Sequence, residues 1–272
     1  MEDRIFTNIE FTRLNGGTTI DTESVIKETG LTIFINEKHY TTVMISAMME
    51  REFITGYLFG QGLIDSIEEL ESVNIENNMA RVTVKDIHKI SKRIRKTDYR
   101  IVSGGGLSAF SNGADFPRIH TQTKIGKKMV FTAMNTLFEK AEIYKVTEGT
   151  HAAGLFTPEA TPICIAEDIG RHNTLDKVIG YALMNNVDCG KTFLVSTGRM
   201  ASEMVVKICR ARIPVAATKT AVTSNGLDIG RKYGLTIIGF VRDTGTRIHT
   251  DMEVRIITEP GMKIYTNAER II

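Results

Sequence analysis

ATPICIAED (160–168), HNTLDKVIGYALM (172–184), KTFLVST (191–197), RMASEMVVKICRA (199–211), IPVAATK (213–219), TSNGLDIGRKY (223–233) and LTIIGFVR (235–242) follow one another in the second half of this 272-residue chain. Short apolar runs rich in Val, Ile and Thr alternate with amphipathic segments of helical length. That alternation predicts βαβ units and a parallel sheet, hence an α/β fold. The stripe Met200, Met204, Val205 and Ile208 suits a helix packed on such a sheet.

Upstream, LTIFINEKHYTTVM (31–44) predicts a β-hairpin turning at Asn36–Lys38, and VNIENNMARVTV predicts another turning at Asn77–Asn78. Met48–Leu63 and residues 126–142 predict helices, with Phe53, Tyr57 and Leu58 on one face of the first. Residues 1 to about 30 are polar and weakly patterned. A closing hairpin at Glu259-Pro260-Gly261 accounts for the similar runs around Arg247–Thr250 and Lys263–Thr266.

Composition narrows the classes. The net charge is +2, the apolar fraction is 42% and the charged fraction 24%, ordinary values for a globular domain. The N-terminus MEDRIFTNIEFTRLN lacks the apolar stretch of a signal peptide, and runs such as LTIIGFV fall far short of a membrane span. A soluble, cytoplasmic protein is expected, with no membrane partner. Cys164, Cys189 and Cys209 are far apart and form no CxxC, so neither a disulfide framework nor a metal site is expected. Cys164 and Cys209 fall on apolar patterns and read as core; Cys189, in NNVDCGK, reads as a turn residue open to exposure.

In open parallel sheets, ligands bind beyond the carboxyl ends of the strands. Each strand here ends in polar chemistry: Glu167-Asp168-Ile169-Gly170-Arg171-His172-Asn173, then Ser196-Thr197-Gly198-Arg199, then Thr218-Lys219-Thr220, then Phe240-Val241-Arg242. Helix starts at that edge favour anions. Gly170 and Gly198 allow close backbone approach, and Arg171, Arg199 and Arg242 supply forked donors suited to phosphate. Phosphate contacts alone bind weakly, because association costs roughly 4–15 kcal/mol before any net gain. A planar body, nucleotide-like or pterin-like, is therefore expected on the same ligand. His172, beside Arg171 and near Asp168, fits an acid/base pair, and fits equally a helix start that Asp168 caps. His151 fits either a ligand donor or a satisfied histidine at a strand start.

The segments EGTHAAGLF, AEDIGRHNTLDKVIGYAL, VSTGRMASEMVVKICRARIPVAATKTAVT and GLTIIGFVR resemble the formate dehydrogenase accessory sulfurtransferase family (FdhD/NarQ-like), and LTIFINEKHY…EREFITGYLFGQGLI matches its first domain more loosely. The resemblance implies a cytidine-deaminase-like parallel or mixed sheet with helices on both faces, plus a smaller α+β N-terminal domain. On this chain it implies an N-terminal domain at 1–100, a glycine-rich inter-domain loop at 101–125 and the deaminase-like domain at 126–272, with a homodimer expected. It further implies sulfur transfer from a cysteine desulfurase to the molybdenum bis(guanine dinucleotide) cofactor of formate dehydrogenase. The guanine nucleotide portion of that cofactor is planar and phosphate-bearing, as the strand ends require. The family's cofactor contact falls on Phe240, Val241, Arg242, Asp243, Thr244 and Gly245. Its sulfur-carrying cysteine falls in the glycine-rich loop, here IVSGGGLSAF (101–110), which holds no cysteine and where Ser103 is the best positional match and Gly104 the other. A serine hydroxyl cannot carry a persulfide, so two outcomes follow: cofactor binding and escort without sulfur relay, which is expected, or relay through another thiol, for which Cys189 is the candidate.

Two other readings remain at this level. A zinc deaminase needs H-x-E and P-C-x-x-C, whereas His151 precedes Ala152-Ala153 and Pro162-Ile163-Cys164 has no partner cysteine. A nucleotide-binding enzyme of deaminase-like fold with a different reaction is the broader form of that reading. A nucleic-acid module would rest on HKISKRIRKTDYR (88–100), seven of whose residues are Lys, Arg or His. Only Tyr99 is available for stacking there, so a solvated strand or linker face is expected.

Overall fold

In a computed structural model, every residue is described except 1–3, 15, 97, 102–106, 111–115, 244–246, 250–253 and 257–258. The chain begins with an antiparallel ribbon, β1 (Phe6–Leu14) and β2 (Thr18–Ile26), where the sequence showed only weak patterning. Most of both strands is exposed, so no apolar alternation was there to mark them.

β3 (Thr29–Ile35) and β4 (Lys38–Ile45) form the first expected hairpin. Its turn residues Asn36 and Glu37 both have positive φ, the requirement of a tight two-residue hairpin. After α1 (Glu50–Gly60), β5 (Leu70–Glu76) and β6 (Met79–Val84) repeat the device with Asn77 and Asn78. Together these strands make a sheet of order β4-β3-β6-β5. Most of the basic stretch is a helix, α2 (Ile87–Lys96), whose Ile90 is buried in the core, and only its end enters a strand. β7 (Asp98–Ile101) and β8 (Leu107–Phe110) pair antiparallel on either side of the glycine run.

The second half contains α3 (Lys127–Lys140), α4 (Glu142–Thr147), β9 (His151–Phe156), β10 (Pro162–Asp168), α5 (Arg171–Met184), β11 (Phe193–Ser196), α6 (Ser202–Arg210), β12 (Val215–Thr218), α7 (Ser224–Tyr233), β13 (Thr236–Arg242), β14 (Arg247–His249), β15 (Val254–Ile256) and β16 (Gly261–Ile264). The main sheet has the order β10-β9-β11-β12-β13-β16. It is mixed, not all parallel. β11, β12 and β13 are parallel neighbours, whereas β9 lies antiparallel between β10 and β11. Two reversals cancel, so β10 still runs in the same direction as β11, β12 and β13.

The tail also departs from expectation. β14 pairs with β15, and β16 pairs antiparallel with β13 instead of closing a hairpin at Glu259–Gly261. β13 would otherwise present an unpaired edge, and β16 covers it.

Alternate residues of each central strand enter different cores. Ala153, Leu155, Leu194, Ala216 and Ile237 join a cluster with α1, α5, α6 and the N-terminal sheet. Ala152, Phe193, Val195, Val215, Ala217 and Ile238 join another with α3. Helices therefore cover both faces of the sheet. On one face α1 crosses α5 at glycines: a Cβ on Gly180 would lie 1.8 Å from the Glu52 carbonyl oxygen, and one on Gly56 would lie 1.8 Å from that of Asp176. Only hydrogen fits at either position. Among the described residues no helix is long and apolar enough to cross a membrane.

Candidate functional site

Because β10, β11, β12 and β13 share a direction, their carboxyl ends meet one edge of the sheet, where β9 begins. That edge gathers His151, Arg171, Arg199, Lys219 and Arg242. Adjacent strands lie about 4.8 Å apart, so the span from β9 to β13 is about 14 Å.

At the β9–β11 end the groups interlock. Gly198 is buried, and a Cβ there would stand 2.7 Å from Arg171 Cβ, so the glycine lets Arg171 lie across the turn after β11. Arg171 has its pKa lowered by burial and then by the neighbouring positive charge of Arg199, against the opposing charge of Glu203. His151 Nδ1 is 3.3 Å from Thr197 Oγ1. Burial lowers the His151 pKa, Arg171 lowers it further, Asp168 opposes, and Arg199 adds to the fall. His172 is pushed down to about 3 by burial first, then by Lys207, Arg171 and His151. It is thus a neutral ring throughout the physiological range, a hydrogen-bonding group and not a proton carrier. Its Nε2 is screened from solvent without a hydrogen-bond partner. α5 starts here behind Gly170, with no side chain capping it.

The β12–β16 end has a different character. Lys219 Nζ lies 4.4 Å from the centroid of the Phe138 ring. Burial and then the charge of Arg242 lower the Lys219 pKa. Phe240 sits at φ 54, in the left-handed region, where the register between β13 and β16 shifts between Gly239 and Arg242. Such a conformation costs an L-residue roughly 1–2 kcal/mol, and strain of this kind clusters at ligand sites. Its amide donates to Thr220 O at 3.0 Å. Arg242 and Lys263 stand 5.3 Å and 4.7 Å from the centroid of its ring. Asn135 on α3 donates to Asp243 at 2.7 Å. Val241 is buried at 1% exposure and forms the wall behind them.

Several residues expected at the ligand serve the frame instead. Asp168 is fully buried and accepts from Lys177 Nζ at 2.6 Å, Asn173 Nδ2 at 2.8 Å, Ser46 N at 3.0 Å and Gly170 N at 3.0 Å. Lys177 also donates to the carbonyls of Ser46 and Glu167, and Asn173 to that of Met44. The motif DIGRHNTLDK is therefore largely a latch between the end of β4 and the β10–α5 turn. One turn further, Asp176 pairs with Lys207 at 2.5 Å and 2.7 Å, both nearly buried. Ser196 is buried, and its Oγ accepts from Gly198 N at 3.1 Å, shaping the turn. Ser103, Thr244 and Gly245 lie outside the described residues.

All three thiols are poor nucleophiles. Burial pushes Cys164 and Cys209 up to about 12. Cys189, expected to be open, is partly buried, and burial followed by the charge of Asp188 pushes it up to about 11. It borders a cavity of about 610 Å³ with Phe59, Ile179, Leu183, Arg210 and Arg212. That cavity lies at the opposite edge, where β11 and β12 begin, and shares no residue with the cationic row. Among the described residues no group of three or more His, Cys, Asp or Glu side chains is placed to hold a metal ion. On α2, Lys89 bonds Glu69 at 2.5 Å and Arg93 bonds Glu69 at 2.8 Å and also Asp65, which pairs two of the seven basic residues of the run with acids.

The sequence reading passed over Asn135, Phe138, Lys263 and Ser46. The helical spacing of Asn135 and Phe138 was the available signal; Lys263 and Ser46 depend on pairings far apart in the chain.

Comparison with known proteins identifies the family. The model of the FdhD/NarQ family matches residues 26–272. A sulfur carrier protein FdhD from Methanothermobacter thermautotrophicus is 31% identical over 237 residues, covering 86% of this chain and 92% of that protein. One from Saccharolobus solfataricus is 30% identical over 82% of this chain and 86% of its own length. A crystal structure described as a formate dehydrogenase accessory protein from Desulfotalea psychrophila superposes with a TM-score of 0.76 at 22% identity, covering 98% of this chain and all of that one. With the family model matching nearly the whole chain and a relative 31% identical over 86% of it, the chain belongs to the FdhD/NarQ family.

Proposed function

We propose that this protein is a formate dehydrogenase accessory protein that binds the molybdenum bis(guanine dinucleotide) cofactor as its cargo along the strand-end row and escorts it to the dehydrogenase. The observation that carries the proposal is the alignment of Arg171, Arg199, Lys219 and Arg242 along one sheet edge. Phe240, flanked by Arg242 and Lys263, offers a ring for a guanine base to stack on, and the cations face the phosphates. Thr244 and Gly245 complete the contact by resemblance to the family. The 126–272 half carries the ligand on a deaminase-like frame, and the 1–100 half buttresses it through the Asp168 latch.

Sulfur relay from a cysteine desulfurase by the family route needs a thiol in the glycine-rich loop, and Ser103 supplies none. The three cysteines elsewhere hold their protons at neutral pH. The protein accordingly carries the cofactor without carrying sulfur on itself. The test is to incubate the purified chain with the isolated cofactor, and separately with a desulfurase and cysteine. Retained molybdenum and guanine with no cyanolysable sulfur on the protein is the expected result. A persulfide trapped on Cys189 would overturn the escort reading, and failure to retain guanine would overturn cofactor binding itself.

A further inference from the structure

At the sheet edge opposite the cationic row, the two halves of the chain border the cavity of about 610 Å³. Pockets for small molecules fall in the range of roughly 300–1,000 Å³. Its floor is apolar: Phe59 from α1, Ile179 and Leu183 from α5, and the loop residues Ile119 and Val187. Phe59, Ile119 and Ile179 are buried in the core, so the floor is fixed. The rim is tied as well, because Thr121 and Thr123 both donate to the Gly190 carbonyl, at 3.1 Å and 3.0 Å.

Charge decides what enters. Arg210, at the end of α6, lies 4.9 Å from the centroid of the Phe59 ring and donates to Asp65 at 2.6 Å and to the Ile64 carbonyl at 3.0 Å. Its Nε is screened from solvent without a hydrogen-bond partner, a state that calls for an explanation. Asp65 is shared, since Arg93 also pairs with it and Lys89 lies 3.8 Å away. Lys89, Arg93 and Arg210 have Asp65 and Glu69 as their acids among the described residues, which leaves one cation in excess. Arg212 is a second: it lines the cavity, is exposed, and has no acidic partner among the described residues. It stands at φ 60 just beyond α6, a position that usually falls to glycine. Lys191 and Asp188 pair at 3.0 Å and cancel. The carboxyl ends of α5 and α6 border the same space, each equivalent to about half a negative charge. Roughly one positive charge is left over.

We propose that this cavity is a binding site for a small monoanion with an aromatic or apolar body, of the aryl sulfonate or aryl carboxylate class. The body packs on Phe59 and Leu183, and the anionic end faces Arg210 and Arg212. A phosphate dianion carries more charge than the site offsets, and a neutral body leaves the guanidinium excess unanswered. The site shares no residue with the cationic row and does not rest on the cofactor reading.

The probes are anilinonaphthalene sulfonate and its neutral parent phenylnaphthylamine, which has the same rings without the sulfonate. Fluorescence titration and calorimetry on the full chain follow them. The sulfonate is expected to bind once per chain, about fivefold more tightly than the parent or better. Arg212→Gln keeps a polar chain on an exposed position and should cut that preference about threefold, the scale of an exposed charge contact. Leu183→Trp fills the cavity and should weaken both probes about tenfold or more. Ala211→Trp, on the rim, does the same and serves if Leu183→Trp does not melt like the native chain. GDP should leave the bound probe in place, since it is expected at the opposite edge. Failure of the sulfonate to bind, equal affinity for the two probes, undiminished binding in a folded tryptophan variant, or displacement by GDP overturns the site.

Discussion

Acidification should destabilise this protein through His172. In the unfolded chain this imidazole takes up a proton near its ordinary value of about 6.5. In the fold it does so only near pH 3, because burial and the charges of Lys207 and Arg171 oppose it. Between those values the unfolded state holds the extra proton, so stability present in full above pH ~6.5 falls as pH falls. Each pH unit is worth about 1.4 kcal/mol per proton. From pH 6.5 to pH 5 the loss is therefore about 2 kcal/mol, or roughly 4–8 °C in melting temperature for a chain of this size. Urea denaturation at pH 7 and pH 5, on the native chain and on His172→Phe, measures it. The variant keeps a ring and loses the titration, so its fall should be smaller by about 2 kcal/mol, with a remainder from His151, whose pKa is also lowered. Equal falls in the two proteins would refute the neutral, buried state of His172.

Gly180→Ala places a methyl group against the Glu52 carbonyl, where only backbone can yield. Overpacking of this kind costs about 1–3 kcal/mol or more, and thermal melting should show it, while Gly126→Ala, with its nearest neighbour at 3.5 Å, leaves the melt nearly unchanged. Asp168→Ala strands the Lys177 ammonium in the core; loss of one partner of a buried pair costs about 3–5 kcal/mol, readable as a lower urea midpoint. Cys189, raised to about 11, should react with iodoacetamide at pH 7.5 about 300-fold more slowly than a free cysteine of pKa ~8.5, and at the ordinary rate in urea; fast labelling of the folded chain would contradict its burial.

The alternation from Ala160 to Arg242 was legible because each segment there has its own period and its own punctuation. The two tight turns were legible because paired Asn and Glu residues at 36–37 and 77–78 tolerate the left-handed backbone the turns demand. The antiparallel placement of β9 was not, since HAAGLF is buried almost throughout and shows no alternation. Strand direction there depends on which neighbours close the sheet, a long-range property. The same limit affected the site. Asp168 and Asn173 look like ligand chemistry in the sequence, but their partners Ser46 and Met44 lie more than a hundred residues earlier, and only the fold reveals that they are already satisfied.

The account depends most on the aromatic and cationic platform at the ends of β12 and β13. Calorimetric titration of GDP into the native chain and into Lys219→Ala, Arg242→Ala tests it most directly. Each charge-assisted hydrogen bond lost is worth roughly 1.5–3 kcal/mol, so the double variant should bind at least a hundredfold more weakly while melting at the same temperature. Undiminished GDP affinity in a folded double variant would contradict the placement of the ligand at this edge.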